Sequence, residues 1–532
     1  MDLIDSETVV SSHPESHSAV SLQARRPFRR LSDDALIFLA LFAMVWAIAR
    51  ACLQAVTGDE GEAYVMWVAD PSVSAHWYGS PNNHLLISMQ EWVFTSMFGL
   101  SPLTVRIPAL LGAALYIAVS LWLTRLLTNH WTVRIPLFIC LVYNPFLFDF
   151  FVAARGYGLA TALLLCAIAV PVWCYFKFPD APNTLIVASA ISSLCIALSF
   201  TANFPFAFVG LAALLLLVLW ALHRAKQCHT PAGRTLQRRV LAASLLPGLL
   251  VILLLPSWTL LHWQPGLLFA GGTSLRNTIH TVVEASLYQL NPRLANPYVY
   301  AVLDAIKRFL LPTLCGLAVV ELALIILGSR SERDERSRKL LVVGALCFGT
   351  LAISLLAHRL AYHFFHLLMP ENRTAIFVAP LVTLTIGAIA SVRPHSRASR
   401  WCRGALLATL SLTALYFVMC LRLTHFREWQ YQEDVKTGYD VVAWYNHNRA
   451  VDNVEASWFY YGAMRFYREL SGRETLEFTN SGNYTHPPDK QLYVLNGVFE
   501  RDFITAQKLQ VVYHGPHSDL VVAVRPELAA PK

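Results

Sequence analysis

The stretch Thr57-Gly58-Asp59-Glu60-Gly61-Glu62 places two adjacent carboxylates directly after the first apolar block of the chain. An acidic pair beside hydrocarbon costs free energy unless water or a partner solvates it. In a half-buried pocket such a carboxylate gains proton affinity and can act as a general base. The alternative is a solvated interfacial turn with Asp59 as a helix N-cap. Downstream, Asn82-Asn83-His84-Leu85-Leu86 offers Asn83 and His84 either for bonding substrate hydroxyls or for closing turns. Arg106, in Val105-Arg106-Ile107-Pro108, either neutralises the acidic pair or snorkels to headgroups. In Ala153-Ala154-Arg155-Gly156-Tyr157, a guanidinium at a membrane surface suits bidentate contact with a phosphate. Equally, Arg155 could pair with nearby Asp149 to tie two span ends together. Arg359 and Arg373 share a stretch with His358, His363 and His366, and Arg276 and Arg293 are further phosphate candidates. His363 and His366 share a helix face, but a metal needs a third ligand and only Glu371 lies nearby, so no metal site is assigned.

These residues sit in a chain of 532 residues, 55% hydrophobic and 14% charged. Soluble domains carry about 25% charged residues. That deficit excludes an ordinary cytosolic enzyme, a disordered chain and a disulfide scaffold. The apolar residues come in blocks of about 20, long enough for membrane-spanning helices and too long for barrel strands. The net charge of +8 is no nucleic-acid signal, because the basic residues lie in short loops between apolar blocks. Ten cysteines are present without a CxxC pair, and none follows Cys420.

About eleven spans are expected, at 35–56, 105–127, 134–152, 156–177, 184–200, 203–223, 240–261, 309–328, 339–357, 375–392 and 403–422. Residues 1–34 form a polar, Arg-rich lead. One alternate set of loops holds Arg224, Lys226, Arg234, Arg238 and Arg239, then Arg330, Arg333, Arg336, Arg338 and Lys339, then Arg393, Arg397, Arg400 and Arg403. The positive-inside rule puts that set and the N-terminus in the cytoplasm. The loops at 57–104, 262–308 and 358–374 and the tail at 423–532 then lie outside. Glu321 is the main ionisable group expected in mid-span. The other polar groups gather at the outer ends, whereas a carrier concentrates them near the midplane. A transporter or flippase of lipid-linked saccharides is therefore the second reading, and a non-catalytic scaffold the third.

The tail alternates helix and strand. Helices are expected at 439–449, 461–470 and 501–508, with strands at 453–458, 475–478, 491–495, 509–513 and 520–524. That pattern makes a small α/β layer with no glycine-rich phosphate loop. The sequons at Asn372 and Asn483 matter only in a glycosylating secretory pathway.

In order and spacing, Asp59-Glu60, Asn82-Asn83-His84-Leu85-Leu86, Phe98-Gly99, Val105-Arg106-Ile107-Pro108-Ala109-Leu110-Leu111-Gly112, Asn144-Pro145 and Ala154-Arg155-Gly156-Tyr157-Gly158 resemble the GT-C glycosyltransferases. The resemblance covers residues 35–165. It points to the family 39-like branch, which includes protein O-mannosyltransferases and the lipid A aminoarabinose transferase. Where many members carry a His-Pro-Pro-Leu-Tyr-like stretch, this chain has Asn82-Asn83-His84-Leu85-Leu86, a departure that bears on the acceptor and the donor sugar.

The resemblance implies an α-helical polytopic membrane protein of GT-C type with a small C-terminal α/β exported domain. It would reside in a bacterial inner (plasma) membrane. It implies a polyprenyl-phosphate sugar donor, a lipid, glycan or protein acceptor, and an inverting single displacement on the extracytoplasmic side. Asp59 and Glu60 would be catalytic. Arg155, Arg106, Arg359 and Arg373 would hold the donor phosphate, and Asn83, His84 and Tyr157 would touch substrate. No cofactor is required, because the sugar arrives activated on lipid. A divalent cation bridging carboxylate and phosphate is chemically allowed, though no ligand set demands one.

Overall fold

The computed structural model describes residues 16–69, 82–179, 181–227, 233–262, 271–294, 296–328, 334–482 and 486–529. Residues 70–81 of the first long loop and the Asn483 sequon lie outside the described residues.

Among the described residues, ten helices are long and apolar enough to cross a membrane. Lipid-facing side chains such as Leu41, Val45, Leu246, Leu253, Val319 and Phe348 are exposed, as a bilayer requires. The third expected span, 134–152, is not one helix. Trp131–Val142 is a short apolar helix, and Asn144 then caps a five-residue helix, Pro145–Asp149. Pro145 has no N–H to continue the first helix, and its ring forces the break. Both pieces are buried.

The two ends of the bundle differ. At one end Asp33 bridges Arg125 and Arg134, Arg336 donates to the carbonyls of Leu126 and Leu127, and Arg403 donates to Ala390. This is the end of the basic loops. Glu321 belongs near it rather than in mid-span: it is fully buried and accepts from the Ser399 hydroxyl at 2.6 Å, in the first turn of Arg397–Met419. At the opposite end lie Asp59, Arg155 and Arg373.

The tail carries five strands: β1 (Asn453–Ala456), β2 (Glu477–Thr479), β3 (Leu492–Asn496), β4 (Gln510–His514) and β5 (Leu520–Val524). They form one sheet in the order β2-β1-β3-β5-β4, parallel from β2 to β3 and antiparallel from β3 to β4. Each lies within two residues of its expected limits. Every residue of β3 and β5 is buried, as central strands covered on both faces demand. His486 is held between the buried carboxylates of Glu455 and Glu500, at 3.3 and 2.7 Å.

The tail docks on the short helix that follows the first span, Gly58–Trp67. Its partner is Tyr461–Ser471, and the two backbones meet at paired glycines. A Cβ on Gly61 would lie 2.4 Å from the Gly462 carbonyl oxygen, and one on Gly462 would lie 2.2 Å from that of Gly58. Only hydrogen fits at either position. Gly462→Ala should therefore destabilise this contact by about 1–3 kcal/mol. Hydrogen exchange on the full chain should show faster exchange in 58–67 and 461–471, with the spans unaffected. Unchanged protection in both segments would show that the close approach does not exist.

Candidate functional site

The helix bearing Asp59 begins with a reciprocal cap. Thr57 accepts from the Glu60 N–H through its hydroxyl, and Glu60 Oε2 accepts from the Thr57 N–H at 2.8 Å. The N-cap is thus Thr57 and not Asp59. The tail holds the same turn: Gln432 Oε1 accepts from the Gly58 N–H at 2.8 Å, and the Tyr467 hydroxyl from the Val56 N–H at 2.9 Å.

Glu60 and Arg106 form a fully buried pair. Arg106 donates through Nε to Glu60 Oε1 (2.9 Å) and through Nη2 to Oε2 (2.8 Å). Its remaining N–H groups go to the carbonyls of Ala51, Gln54 and Ala55. All five guanidinium donors are therefore engaged. Glu60 also accepts from the Ala154 N–H at 2.8 Å. Burial alone would raise its pKa, but Arg106 outweighs it and holds the carboxyl below its ordinary value. This corrects two expectations. Arg106 has no donor left for a phosphate, and Glu60 has no lone pair directed at substrate. The pair is a clamp joining the end of the first span, the Asp59 helix and the backbone beside Arg155.

Two further expected residues do not reach the site. Arg359 follows cavity-lining His358 on its helix, so the turn of the helix points it outward; it is exposed and lies over the Tyr362 ring. Asn83 is buried, accepting from the Ser88 hydroxyl at 2.6 Å, while Asn82 lines the cavity in its place. Arg276 and Arg293 are exposed elsewhere.

Asp59, Arg155, Arg373, His84 and Tyr157 do converge, on a cavity of about 640 Å³. Arg373 Nη1 donates to Asp59 Oδ2 at 2.6 Å, and Arg155 Nη1 to the Asp59 carbonyl at 3.3 Å. Asp149 does not pair with Arg155. It bonds Arg50 at 2.6 Å and the Arg427 N–H at 2.6 Å, which leaves Arg155 to the cavity with its Nε unpartnered among the described residues. Burial would raise the Asp59 pKa, but Arg373 and Arg155 outweigh it and hold the carboxyl below its ordinary value. Glu62, one turn along the same helix, moves the other way, raised by burial and by Asp59. The lining also includes apolar side chains, among them Phe200, Phe204, Phe208, Leu260, Leu367 and Met369. The cavity therefore combines charged and apolar walls.

Glu62 and Asn82 were readable in hindsight, by i,i+3 spacing from Asp59 and by adjacency to Asn83. Asn203 also lines the cavity and carries no local signal.

Glu60→Gln should cost about 3–5 kcal/mol, because it strands a buried guanidinium. Asp59→Asn, on the cavity wall, should leave the melting temperature within a few degrees. Equal melting temperatures for the two variants would remove the clamp role.

No family model and no curated protein matches the chain. Among solved structures, ArnT from Cupriavidus metallidurans bound to undecaprenyl phosphate aligns with 94% of this chain and 99% of its own, at 14% identity and a TM-score of 0.51. The apo state of that protein covers the same shares at 13% identity and a TM-score of 0.38, too low to bear on the fold. At this level of identity the likeness concerns architecture alone: the chain has an ArnT-like fold.

Proposed function

We propose that this chain is a membrane glycosyltransferase that takes a sugar from a polyprenyl-phosphate-linked donor and passes it to an acceptor on the extracytoplasmic side. One observation carries this: a single cavity is lined both by Asp59, Arg155 and Arg373 and by apolar side chains such as Phe208, Leu260 and Leu367. A polyprenyl phosphate combines the same two chemistries, an anionic group and hydrocarbon. The undecaprenyl phosphate bound to the ArnT structure supports the reading. The basic loops at the far end of the bundle support the cytoplasmic placement of that end.

In the proposed reaction the donor phosphodiester, with one negative charge, lies against Arg155 and Arg373. An acceptor hydroxyl or amine attacks the anomeric carbon. The bond from that carbon to the phosphate oxygen breaks, and its electron pair leaves with the phosphate. The acceptor proton passes to Asp59. The leaving phosphate monoester carries one more negative charge, which the two guanidinium groups stabilise. A donor phosphate competes with Asp59 for the same cations, so donor binding raises the proton affinity of Asp59. Its protonation then releases Arg373 toward the leaving group. A single displacement inverts the anomeric centre. The arginines supply the positive charge that a divalent cation would otherwise bring, and no cofactor is needed.

Transfer from a polyprenyl-phosphate sugar, assayed in membranes, tests this. Asp59→Asn should lower turnover by about 100-fold or more while the protein stays folded; full activity in that variant rules out Asp59 as the base. Arg155→Lys keeps charge but loses the fork, so it should retain more donor affinity than Arg155→Ala. Wild-type donor affinity in the lysine variant would argue against bidentate contact.

The pH profile gives a separate check. A base carboxylate is active when ionised, and Asp59 is held below its ordinary value by Arg373. Removing that cation in Arg373→Gln raises the Asp59 pKa, so the acid limb of kcat/KM should move to higher pH. An acid limb that stays in place would mean that Asp59 is not the group being titrated.

A further inference from the structure

Two buried side chains of the cavity wall carry polar atoms that find no partner among the described residues. Asn203 occupies the break between helix Pro182–Ala202 and the single turn Phe204–Phe206, at an N-cap position where asparagine ordinarily accepts a backbone N–H. Its side chain makes no such bond. It is 1% exposed, and both its amide oxygen and its amide nitrogen lack partners among the described residues. His84 stands at the N-cap of Leu85–Phe98 and likewise does not cap it. It is 7% exposed, and its Nε2 is unpartnered. An unmade hydrogen bond on a buried polar group costs about 1–3 kcal/mol, so such groups imply a partner that arrives with a ligand.

The two are brought together on purpose-built backbone. Helix Tyr157–Lys177 starts at Gly156, where a Cβ would lie 1.9 Å from the Ala202 carbonyl oxygen and 2.8 Å from His84 Nδ1. Only glycine lets the three segments meet. His84 Nδ1 lies 3.1 Å from that same carbonyl. A carbonyl only accepts, so Nδ1 carries the proton, and in the neutral ring Nε2 presents a lone pair. Burial and the nearby Arg155 keep the ring neutral by pushing its pKa well below the ordinary value. Phe200 and Phe204 flank Asn203 in sequence, line the same cavity, and meet edge to face with centroids 5.0 Å apart.

We infer that Asn203 and His84, with Phe200 and Phe204, form the subsite that recognises the donor's sugar, and that this sugar is an uncharged one read through its hydroxyls. The inference rests on the proposed function. Each sugar hydroxyl both donates and accepts. An amide supplies both roles, and the Nε2 lone pair takes one hydroxyl proton. The aromatic rings suit the apolar C–H face of a sugar ring. A uronate meets no cation among these four side chains, and its charge would face the His84 lone pair. Within the subsite formed by Asn203, His84, Phe200 and Phe204 an amino sugar meets no carboxylate.

The test uses the full chain in lipid nanodiscs. Dissociation constants are measured for undecaprenyl phosphate, for its glucose-bearing phosphodiester, and for the 4-amino and uronate analogues of the latter. The wild type should bind the glucose lipid at least tenfold more tightly than the bare lipid, and more tightly than either charged analogue. Asn203→Leu should erase that gain while leaving bare-lipid affinity within twofold. Asn203→Asp keeps the shape and serves if the leucine variant does not fold; it too should lose the gain. A gain that survives both substitutions overturns the inference, as does an equal fall for bare and sugar-bearing lipid. Preference of the wild type for a charged analogue also overturns it. Wild-type binding of bare and glucose lipid with equal affinity removes the subsite but leaves the polyprenyl-phosphate reading standing. Failure to bind any of the four lipids removes both.

Discussion

The buried Glu60–Arg106 pair is the constraint on which the site depends. An isolated charge in such a place would be untenable, and a half-satisfied pair would weaken the fold. Here every guanidinium N–H and both carboxylate oxygens are engaged. The bonds reach the last turn of the first span, the cap of the Asp59 helix and the backbone just before Arg155. Because Asp59 and Arg155 hang from opposite sides of one clamp, their separation is set by short bonds and not by loop packing. Preorganisation of this kind is what a charge-stabilising site requires.

Around that clamp the charged residues divide their work. Glu60 and Arg106 neutralise each other and hold geometry. Asp149 and Arg50 do the same one layer away, with Asp149 also accepting from the Arg427 N–H. What remains toward the cavity is Asp59, Glu62, Arg155 and Arg373. The tail completes the arrangement from the other side, through Gln432, Tyr467 and the paired glycines 61 and 462. It is therefore part of the frame that holds the Asp59 helix, whatever it also does for an acceptor.

Much of this was legible beforehand, and the rest was not for identifiable reasons. Span positions follow from long apolar runs, which report directly on burial in lipid. The span expected at 134–152 misled, because its run is apolar throughout and hides the break at Pro145, and the one expected at 309–328 begins earlier, at Pro297. The tail strands were readable because alternation and turn residues are local signals. Glu60 was partly readable too: Thr57-Gly58-Asp59-Glu60 has the spacing of a capping box, which already ties Glu60 to the backbone. Its partner Arg106 lies 46 positions away, and nothing local announces that all five donors are used.

By itself the sequence determined that this chain is a helical membrane protein with a small α/β tail, and that its ionisable residues concentrate at span ends. Those are properties of composition and local periodicity, and solvent or lipid enforces them on each segment separately. Only the tertiary structure decided which arginine faces the cavity, which asparagine reaches it, and which member of the acidic pair stays available. Those choices turn on hydrogen-bond directions of a few ångströms between segments as far apart as residues 59 and 373, and no single segment carries that information.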